Sequence, residues 1–151
     1  MRIDVINGPN LNLLGTRETE LYGSTSLDSI ESHLGSLAER LGGVDVSIEM
    51  SFFQSNHEGA LIDRIQEKTQ AGVDAFILNP GGYTHTSVAL RDAVIGSDAM
   101  FIELHLTNIY AREDFRQRSL IADVVDGHVT GLGPIGYELA LRAAVAVQGR
   151  Q

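Results

Sequence analysis

Short runs of apolar residues, many of them β-branched, alternate along this chain with longer segments in which apolar residues recur at helical spacing. The short runs are typical of buried β-strands, and the longer segments are typical of amphipathic helices. This alternation predicts βαβ units and a parallel sheet. The predicted strands cover residues 2–7, 44–50, 74–79, 100–104 and 124–129.

Helices are predicted between and after these strands. In the first, apolar residues from Leu27 to Leu41 keep helical spacing, Thr25 and Ser26 can cap its start, and Gly42-Gly43 can end it. The last helix is apolar nearly all round, which predicts burial by the sheet on one face and by another subunit on a second face. This last helix is predicted over residues 134–147. Two further helices are predicted over residues 57–71 and 86–95, and a short helical turn is predicted over residues 112–118.

The combined pattern indicates the fold class. We predict an α/β protein with a flavodoxin-like, doubly wound five-stranded parallel sheet and helices on both faces. A length of 151 residues is most simply one domain, so residues 1–151 are expected to form a single catalytic domain.

One connection is longer than the fold requires. Residues 8–25 join the first strand to the first helix, whereas βα loops usually have roughly two to six residues. The segment holds Asn10, Arg17, Glu18 and Tyr22 between glycines near its two ends. Because it leaves the carboxyl end of a strand, we interpret it as a lid over an active site, and a plain surface loop is the alternative.

The composition limits the possible partners and chemistry. A net charge of −9 argues against non-specific binding to nucleic acid or to an anionic membrane surface. The absence of cysteine excludes disulfides, thiolate nucleophiles and Cys-based metal sites. No apolar run approaches the ~20 residues of a membrane span. The strand pattern begins directly after Met1, so we expect a cytoplasmic protein without a signal peptide.

Polar side chains gather where three predicted strands end. The segments concerned are residues 6–10, 79–87 and 103–108, and each contains Asn or His. The carboxyl ends of parallel strands meet at one edge of the sheet, where open α/β folds bind their ligands. These segments are therefore predicted to form one site.

Acid–base chemistry is what these residues favour. No Walker loop, no Gly-x-Ser-x-Gly elbow and no convincing metal-ligand spacing is present. A free tyrosine has a pKa of about 10, and a nearby cation such as Arg17 would favour the ionised form of Tyr22. Strand alternation places Glu103 and His105 on one face, where the carboxylate can fix the tautomer of the imidazole and favour its protonated form.

Each of these residues also has a purely structural interpretation. Tyr22 can be an incidental loop residue, and His105 can be a satisfied, partly buried histidine. His85 can lie at a helix start without touching a substrate. Arg112 and Arg116, four positions apart, can form a solvated salt-bridge face with nearby acidic residues.

Taken together, the motifs resemble the type II 3-dehydroquinate dehydratase family along the whole chain, from the first strand to the last helix. Any one motif is weak, but they occur in register and in the family's order. The matching segments are Asn7-Gly8-Pro9-Asn10-Leu11-Asn12, Arg17-Glu18 with Tyr22-Gly23, Gln54-Ser55-Asn56, Asn79-Pro80-Gly81 to Ser87, Glu103-Leu104-His105 with Asn108, and Ala111-Arg112-Glu113 with Phe115-Arg116.

The resemblance implies a reaction and the residues that perform it. The family dehydrates 3-dehydroquinate to 3-dehydroshikimate by anti elimination through an enolate, without metal, cofactor or Schiff base, in the shikimate pathway or in quinate catabolism. By position, Tyr22 would be the base and Arg17 would keep it ionised. Asn10 would act on the enolate oxygen through a water, His105 would protonate the departing hydroxyl, and Glu103 would orient His105.

The resemblance also implies how substrate is bound and how subunits assemble. Family members form dodecamers built from trimers, which implies a homododecamer here, with Asp92 reaching a neighbouring subunit's site. Thr107 stands where many members carry Ser, and Tyr110 where His is frequent, and neither change removes a catalytic group. The implied substrate-binding residues are Asn79, His85, Asp92, Leu106, Thr107 and Arg116.

Two other functions remain open from the sequence. A flavodoxin-like cofactor-binding protein would need a phosphate-binding first loop rich in hydroxyls, and the segment from Pro9 to Leu14 has few. An inactive oligomeric scaffold would have no need of a complete acid–base set. Both alternatives are less consistent with the residues than an enzyme.

Overall fold

A parallel β-sheet forms the centre of the molecule. The computed structural model describes residues 1–16, 25–42 and 47–148. In these ranges five strands lie side by side in the order β2-β1-β3-β4-β5, all parallel. This order is that of a flavodoxin-like, doubly wound sheet, so the predicted fold class is confirmed. The strands are β1 Arg2–Asn7, β2 Glu49–Gln54, β3 Ala75–Asn79, β4 Met100–His105 and β5 Gly127–Thr130.

Helices cover both faces of the sheet. Helices α1 and α4 pack on one face and helices α2 and α3 on the other, and each pair shares a hydrophobic cluster with the strands. Every residue of β3 is buried, which is why that strand reads as a continuous apolar run rather than an alternating one. The helices are α1 Leu27–Gly42, α2 Glu58–Gln70, α3 Val88–Ile95 and α4 Ile135–Gln148.

The second strand differs from its prediction. The sequence placed it at residues 44–50, whereas β2 is Glu49–Gln54 and its register pairs Glu49 with Arg2. As an edge strand β2 is only partly buried, and Ser51 and Gln54 interrupt its apolar pattern. Residues 43–46 lie outside the described part of the chain.

The fifth strand also begins later than predicted. Val124 and Val125 were included in it, but β5 starts at Gly127. Both valines precede the strand and pack against the cluster under α2 and α3, and the Val124 N–H closes a turn on the Ile121 carbonyl. Burial of a loop segment therefore produced an apolar run that resembles a strand.

The third helix is shorter than predicted because a different element precedes it. Residues Gly81–His85 form a 3-10 helix, and α3 begins only after Ser87. The Ser87 hydroxyl accepts a hydrogen bond from the Leu90 N–H at 2.8 Å, the usual contact of a helix N-cap.

Helix α4 buries a single face within this chain. Its buried side chains include Tyr137, Ala140 and Leu141, whereas Ile135 and Leu139 are exposed. Burial of a second face by another subunit remains a prediction. Among the described helices, α4 included, none combines the length and the apolar character needed to cross a membrane.

The loops after β1 and β3 touch through their backbones. The Gly8 N–H donates to the Asn79 carbonyl at 2.7 Å. A Cβ atom at Gly8 would lie 2.5 Å from the Pro80 carbonyl oxygen, so this approach requires glycine. The contact lies between two neighbouring strands at the carboxyl edge, which is the switch point of this topology.

Candidate active site

A cleft of about 180 Å³ opens at the carboxyl edge of the sheet. Its walls come from the segments that follow β1, β3 and β4, as the sequence predicted for one shared site. Both polar and apolar side chains line it, which is typical of a site for a small molecule. The polar side chains are Asn10, Asn79, His85, His105, Thr107, Arg112 and Arg116, and the apolar ones include Leu11, Leu13, Leu14 and Ile109.

An imidazole and a carboxylate lie in contact beside this cleft. His105 Nε2 is 2.7 Å from Glu103 Oε1, and both side chains are buried, with 6% and 0% of their surface exposed. An ionised carboxylate only accepts hydrogen bonds, so the His105 Nε2–H is the donor. His105 lines the cleft, and its Nδ1 is the nitrogen left for a ligand.

Two hydroxyl groups complete the surroundings of Glu103. Thr84 Oγ1 donates to Glu103 Oε1 at 2.5 Å, and Ser119 Oγ lies 3.0 and 3.1 Å from the two carboxylate oxygens. Burial alone would raise the pKa of Glu103, but the hydrogen bond and charge of His105 and the Thr84 hydrogen bond outweigh it. The pKa of Glu103 therefore lies below its ordinary value, and the buried group is an anion.

Ser119 is itself held in place by backbone donors. Its Oγ accepts from the Ile121 and Ala122 N–H groups at 3.0 and 2.9 Å. With these donors on the oxygen, the hydroxyl proton is left for the Glu103 carboxylate or for Thr84 Oγ1, which lies 2.8 Å away. Neither Thr84 nor Ser119 was singled out from the sequence, because a serine or threonine in a loop carries no signal of what it faces.

His85 lies near His105 in the cleft. The two imidazole rings are stacked with their centroids 6.5 Å apart. His85 Nδ1 lies 2.7 Å from the Arg118 carbonyl oxygen, so this nitrogen carries a proton and donates it. The predicted substrate contact through His85 is thus left to Nε2.

Asn79 is fixed by a buried hydrogen-bond chain. Its Nδ2 donates to the Tyr137 hydroxyl at 3.0 Å, and that hydroxyl donates to Asn7 Oδ1 at 2.5 Å. The Gly81 N–H donates to Asn79 Oδ1 at 3.3 Å. Burial raises the pKa of Tyr137, so its hydroxyl keeps the proton that it donates. Tyr137 was missed because it lies far from Asn79 along the chain.

Arg112 and Arg116 reach the cleft together. Glu113 Oε2 lies 3.0 Å from Arg116 Nε and 3.6 Å from Arg112 Nε. Both arginines therefore form the ion pairs with a nearby acidic residue that the structural interpretation predicted. Both side chains nevertheless line the cleft, and they supply its positive charge.

Asn10 stands at the mouth of the cleft in a left-handed conformation, with φ of 67°. Asparagine tolerates this conformation better than most residues. Its N–H donates to Asn56 Oδ1 at 2.9 Å, and Gln54 Nε2 donates to the same oxygen at 3.2 Å. The Gln54-Ser55-Asn56 segment thus supports the start of the long loop.

The turn after β4 is tied to the segment after β5. The Leu106 carbonyl accepts from the Gly133 N–H at 2.8 Å, and the Thr107 carbonyl accepts from Thr130 Oγ1 at 3.1 Å. These bonds fix the backbone of Leu106 and Thr107 where it borders the cleft.

Of the predicted site residues, four do not line this cleft in the described structure, and one of them, Glu103, is connected to it only through His105. Arg17 and Tyr22 fall outside the described residues. Asp92 is exposed on α3 and is absent from the residues that line the cleft.

One cluster has the donor types of a metal site. Ligand atoms of Glu103, His105 and His128 lie within 4.8 Å of one another. However, a hydrogen bond already occupies Glu103 Oε1 and His105 Nε2, so a metal would have to displace that proton. The sequence analysis predicted no metal, and it did not single out His128.

Comparisons with known proteins agree with the geometry. The family model described as dehydroquinase class II matches residues 1–145. A "3-dehydroquinate dehydratase" of Polynucleobacter asymbioticus is 57% identical over 142 residues, covering 94% of this chain and 92% of that protein. A "Catabolic 3-dehydroquinase 2" of Neosartorya fischeri is 52% identical over 141 residues, covering 93% and 90%. The crystal structure of a type II dehydroquinase from Butyrivibrio crossotus has a TM-score of 0.90 and 41% identity, covering 95% of this chain and 97% of that one.

Proposed function

The chain belongs to the class II dehydroquinase family and is a hydro-lyase acting on 3-dehydroquinate, and we propose that the cleft described above is where it removes water. The observation that carries this proposal is the contact between His105 and Glu103. It places an imidazole at the cleft and a buried anion behind it. Neither cofactor binding nor a scaffolding role requires such an acid–base pair at the cleft.

The reaction needs one base and one acid. The base removes the proton on the carbon next to the ketone, and the electron pair of that C–H bond passes into an enolate. When the enolate collapses, its electrons form the new carbon–carbon double bond and the β-hydroxyl leaves. That hydroxyl accepts a proton as it departs, so the products are water and 3-dehydroshikimate.

His105 is the acid in this proposal. Its imidazolium donates the Nδ1 proton to the departing hydroxyl, while Nε2–H stays bonded to Glu103. The buried carboxylate fixes the ring orientation and stabilises the charge that the ring carries before the transfer. The Thr84 and Ser119 hydroxyls hold the carboxylate in place, and the Thr84 hydrogen bond also favours its ionised form.

Tyr22 is the base, with Arg17 beside it to favour its phenolate form. Both come from the motif in the loop over residues 8–25. Support comes from the described start of that loop, because Asn10 and Leu14 line the cleft. The described start of the loop thus forms part of the cleft's own wall, and we infer that the loop serves as a lid.

The other cleft residues bind the substrate. Asn79, His85 through Nε2, and Arg116 contact substrate hydroxyls. The carboxylate is bound by the amides of Leu106 and Thr107 with the Thr107 hydroxyl, in the turn that Thr130 and Gly133 hold. Asn10 stabilises the enolate oxygen through a water.

We also propose the assembly that the resemblance implies. The enzyme is a cytoplasmic homododecamer, a tetramer of trimers, and Asp92 reaches the site of a neighbouring subunit. The exposed position of Asp92 on α3 and the exposed apolar Ile135 and Leu139 on α4 are compatible with such contacts. Sedimentation of the purified protein tests this part alone.

The activity itself is tested by ultraviolet absorbance on mixing the protein with 3-dehydroquinate. Dehydration creates a conjugated enone, so a rise in absorbance reports the product directly. We expect a rise that survives borohydride treatment of the enzyme and is lost in Tyr22→Phe. Loss after borohydride would indicate a Schiff base, and no rise in the wild type would contradict the assignment.

A further inference from the structure

A second histidine faces the carboxylate that orients His105. His128 lies on β5, directly opposite Glu103 in the strand register. Its Nε2 is 3.9 Å from Glu103 Oε2, whereas His105 contacts the other carboxylate oxygen, Oε1. This nitrogen is buried and has no hydrogen-bond partner among the residues that the structure describes.

The two imidazoles are in edge contact. The ring centroids of His128 and His105 are 5.6 Å apart, with the ring planes at 83°. Tyr110 stands edge-on to His128 from the 3-10 helix Ile109–Ala111, with centroids 6.4 Å apart. Among the described residues, the titratable groups found against His128 are Glu103 and His105 from β4 and Tyr110 from this helix.

We propose that His128 is a positioning residue of the dehydratase, a neutral imidazole whose Nε2–H points at Glu103 and sets the pH range over which His105 can act as the acid. This inference rests on the proposed role of the Glu103–His105 pair. It adds a group that neither the sequence motifs nor the cleft lining assigned.

Physical chemistry favours the neutral Nε2–H form. Burial lowers the pKa of His128, the charge of Glu103 opposes this, and the charge of His105 adds to it, so the pKa stays below its ordinary value. A neutral imidazole has one N–H and one lone pair. Turning the lone pair of Nε2 towards an anion at 3.9 Å would be repulsive, whereas turning N–H towards it is attractive.

The consequence for His105 follows from the shared carboxylate. An N–H directed at Oε2 draws negative charge away from Oε1, where the His105 proton is held. Glu103 therefore stabilises the His105 imidazolium less than it would alone. Without His128 the imidazolium should persist to higher pH, and the alkaline limb of kcat should move upwards, because that limb reports the acid in the substrate complex.

Two substitutions separate this role from simple space filling. His128→Leu fills the volume without a donor, whereas His128→Gln retains a neutral N–H at a similar reach. In His128→Leu we expect the alkaline limb of the kcat–pH profile to shift to higher pH by about half a pH unit or more. In His128→Gln it should stay near the wild-type position. An unchanged limb in His128→Leu, or an equal shift in both variants, would overturn the proposal.

A measurement on the wild type covers the case in which a variant does not fold. Histidine ¹H–¹⁵N correlation spectra recorded across neutral and alkaline pH should show His128 neutral, with its proton on Nε2. A charged His128, or a proton on Nδ1, would overturn the proposal. This result does not depend on turnover, whereas the absence of enone formation in the wild type would contradict the proposed function instead.

Discussion

The Tyr137 hydroxyl on the last helix accepts a hydrogen bond from the buried Asn79 amide at 3.0 Å and donates one to Asn7 Oδ1 at 2.5 Å. Asn7 ends β1 and Asn79 ends β3. One side chain from α4 therefore ties together the two strand ends that border the cleft. It also leaves Asn79 a defined orientation towards a ligand.

Removing this hydroxyl should weaken both the fold and substrate binding. Tyr137→Phe leaves two buried polar groups without their partner, so we expect a loss of about 1–3 kcal/mol in the free energy of unfolding. KM should rise more than kcat falls, since Asn79 binds a substrate hydroxyl in the proposed mechanism. Urea unfolding and steady-state kinetics measure the two effects. A free energy of unfolding equal to that of the wild type would show that these two hydrogen bonds do not stabilise the fold.

The close approach of Gly8 to Pro80 makes a second prediction. In Gly8→Ala the new methyl group would lie 2.5 Å from a backbone oxygen, so the β1 and β3 loops must move apart. We expect a loss of about 1–3 kcal/mol in stability and a clear fall in kcat/KM. Gly82→Ala is the matched control, because a Cβ there meets nothing within 4 Å.

The two glycine variants are compared in the same assay. Gly82 also lines the cleft, so both substitutions add a methyl group near the site. If Gly8→Ala were as active and as stable as Gly82→Ala, the switch-point contact would have no importance for the site.

A buried ion pair between β1 and α2 is predicted to matter for stability alone. Arg64 Nε and Nη2 donate to the fully buried Asp4 carboxylate at 2.9 and 2.7 Å. Arg64→Met would leave that charge unpaired, which costs about 3–5 kcal/mol. Arg142→Met breaks an exposed pair with Glu138 and should cost at most about 1 kcal/mol.

Thermal unfolding of the two arginine variants gives the comparison. Both substitutions exchange the same residue types, so the difference between them reports burial of the carboxylate partner. A cost for Arg64→Met as small as that for Arg142→Met would contradict the prediction.

The ionisation of Glu103 links stability to pH. Its pKa in the folded chain lies below the ordinary value of 4.5, because the contacts of His105 and Thr84 outweigh burial. The stabilisation from the ionised form is therefore complete above pH 4.5 and is lost as the pH falls through the lower folded-state pKa. We expect the unfolding free energy of the wild type to fall more steeply below that pH than that of Glu103→Gln. Equal slopes in urea titrations at a series of pH values would argue against an ionised Glu103.

The sequence predicted the parts of this structure that depend on neighbours along the chain. Glu103 and His105 are two positions apart in one strand, so alternation was enough to place them together. The parallel sheet and its edge followed from the apolar runs of β1, β3 and β4. The motif resemblance supplied the remaining site residues.

The parts that could not be predicted depend on contacts between distant segments. Thr84, Ser119 and His128 come from three separate elements and meet only around Glu103. Tyr137 reaches Asn79 from the last helix. The bounds of β2 were mispredicted because this partly buried edge strand lacks a continuous apolar run. The loop containing Val124 resembled the start of β5 because burial, rather than secondary structure, determines where apolar residues occur.

The most direct test of the central claim is the rate of enone formation by His105→Gln and Glu103→Gln beside the wild type. If His105 is the acid and Glu103 orients it, kcat should fall by about a hundredfold or more in His105→Gln. In Glu103→Gln the fall in kcat should also be large, but smaller than in His105→Gln. KM should stay nearly unchanged in both variants. Turnover of His105→Gln close to the wild-type rate would contradict the account, because the departing hydroxyl would then take its proton from another group.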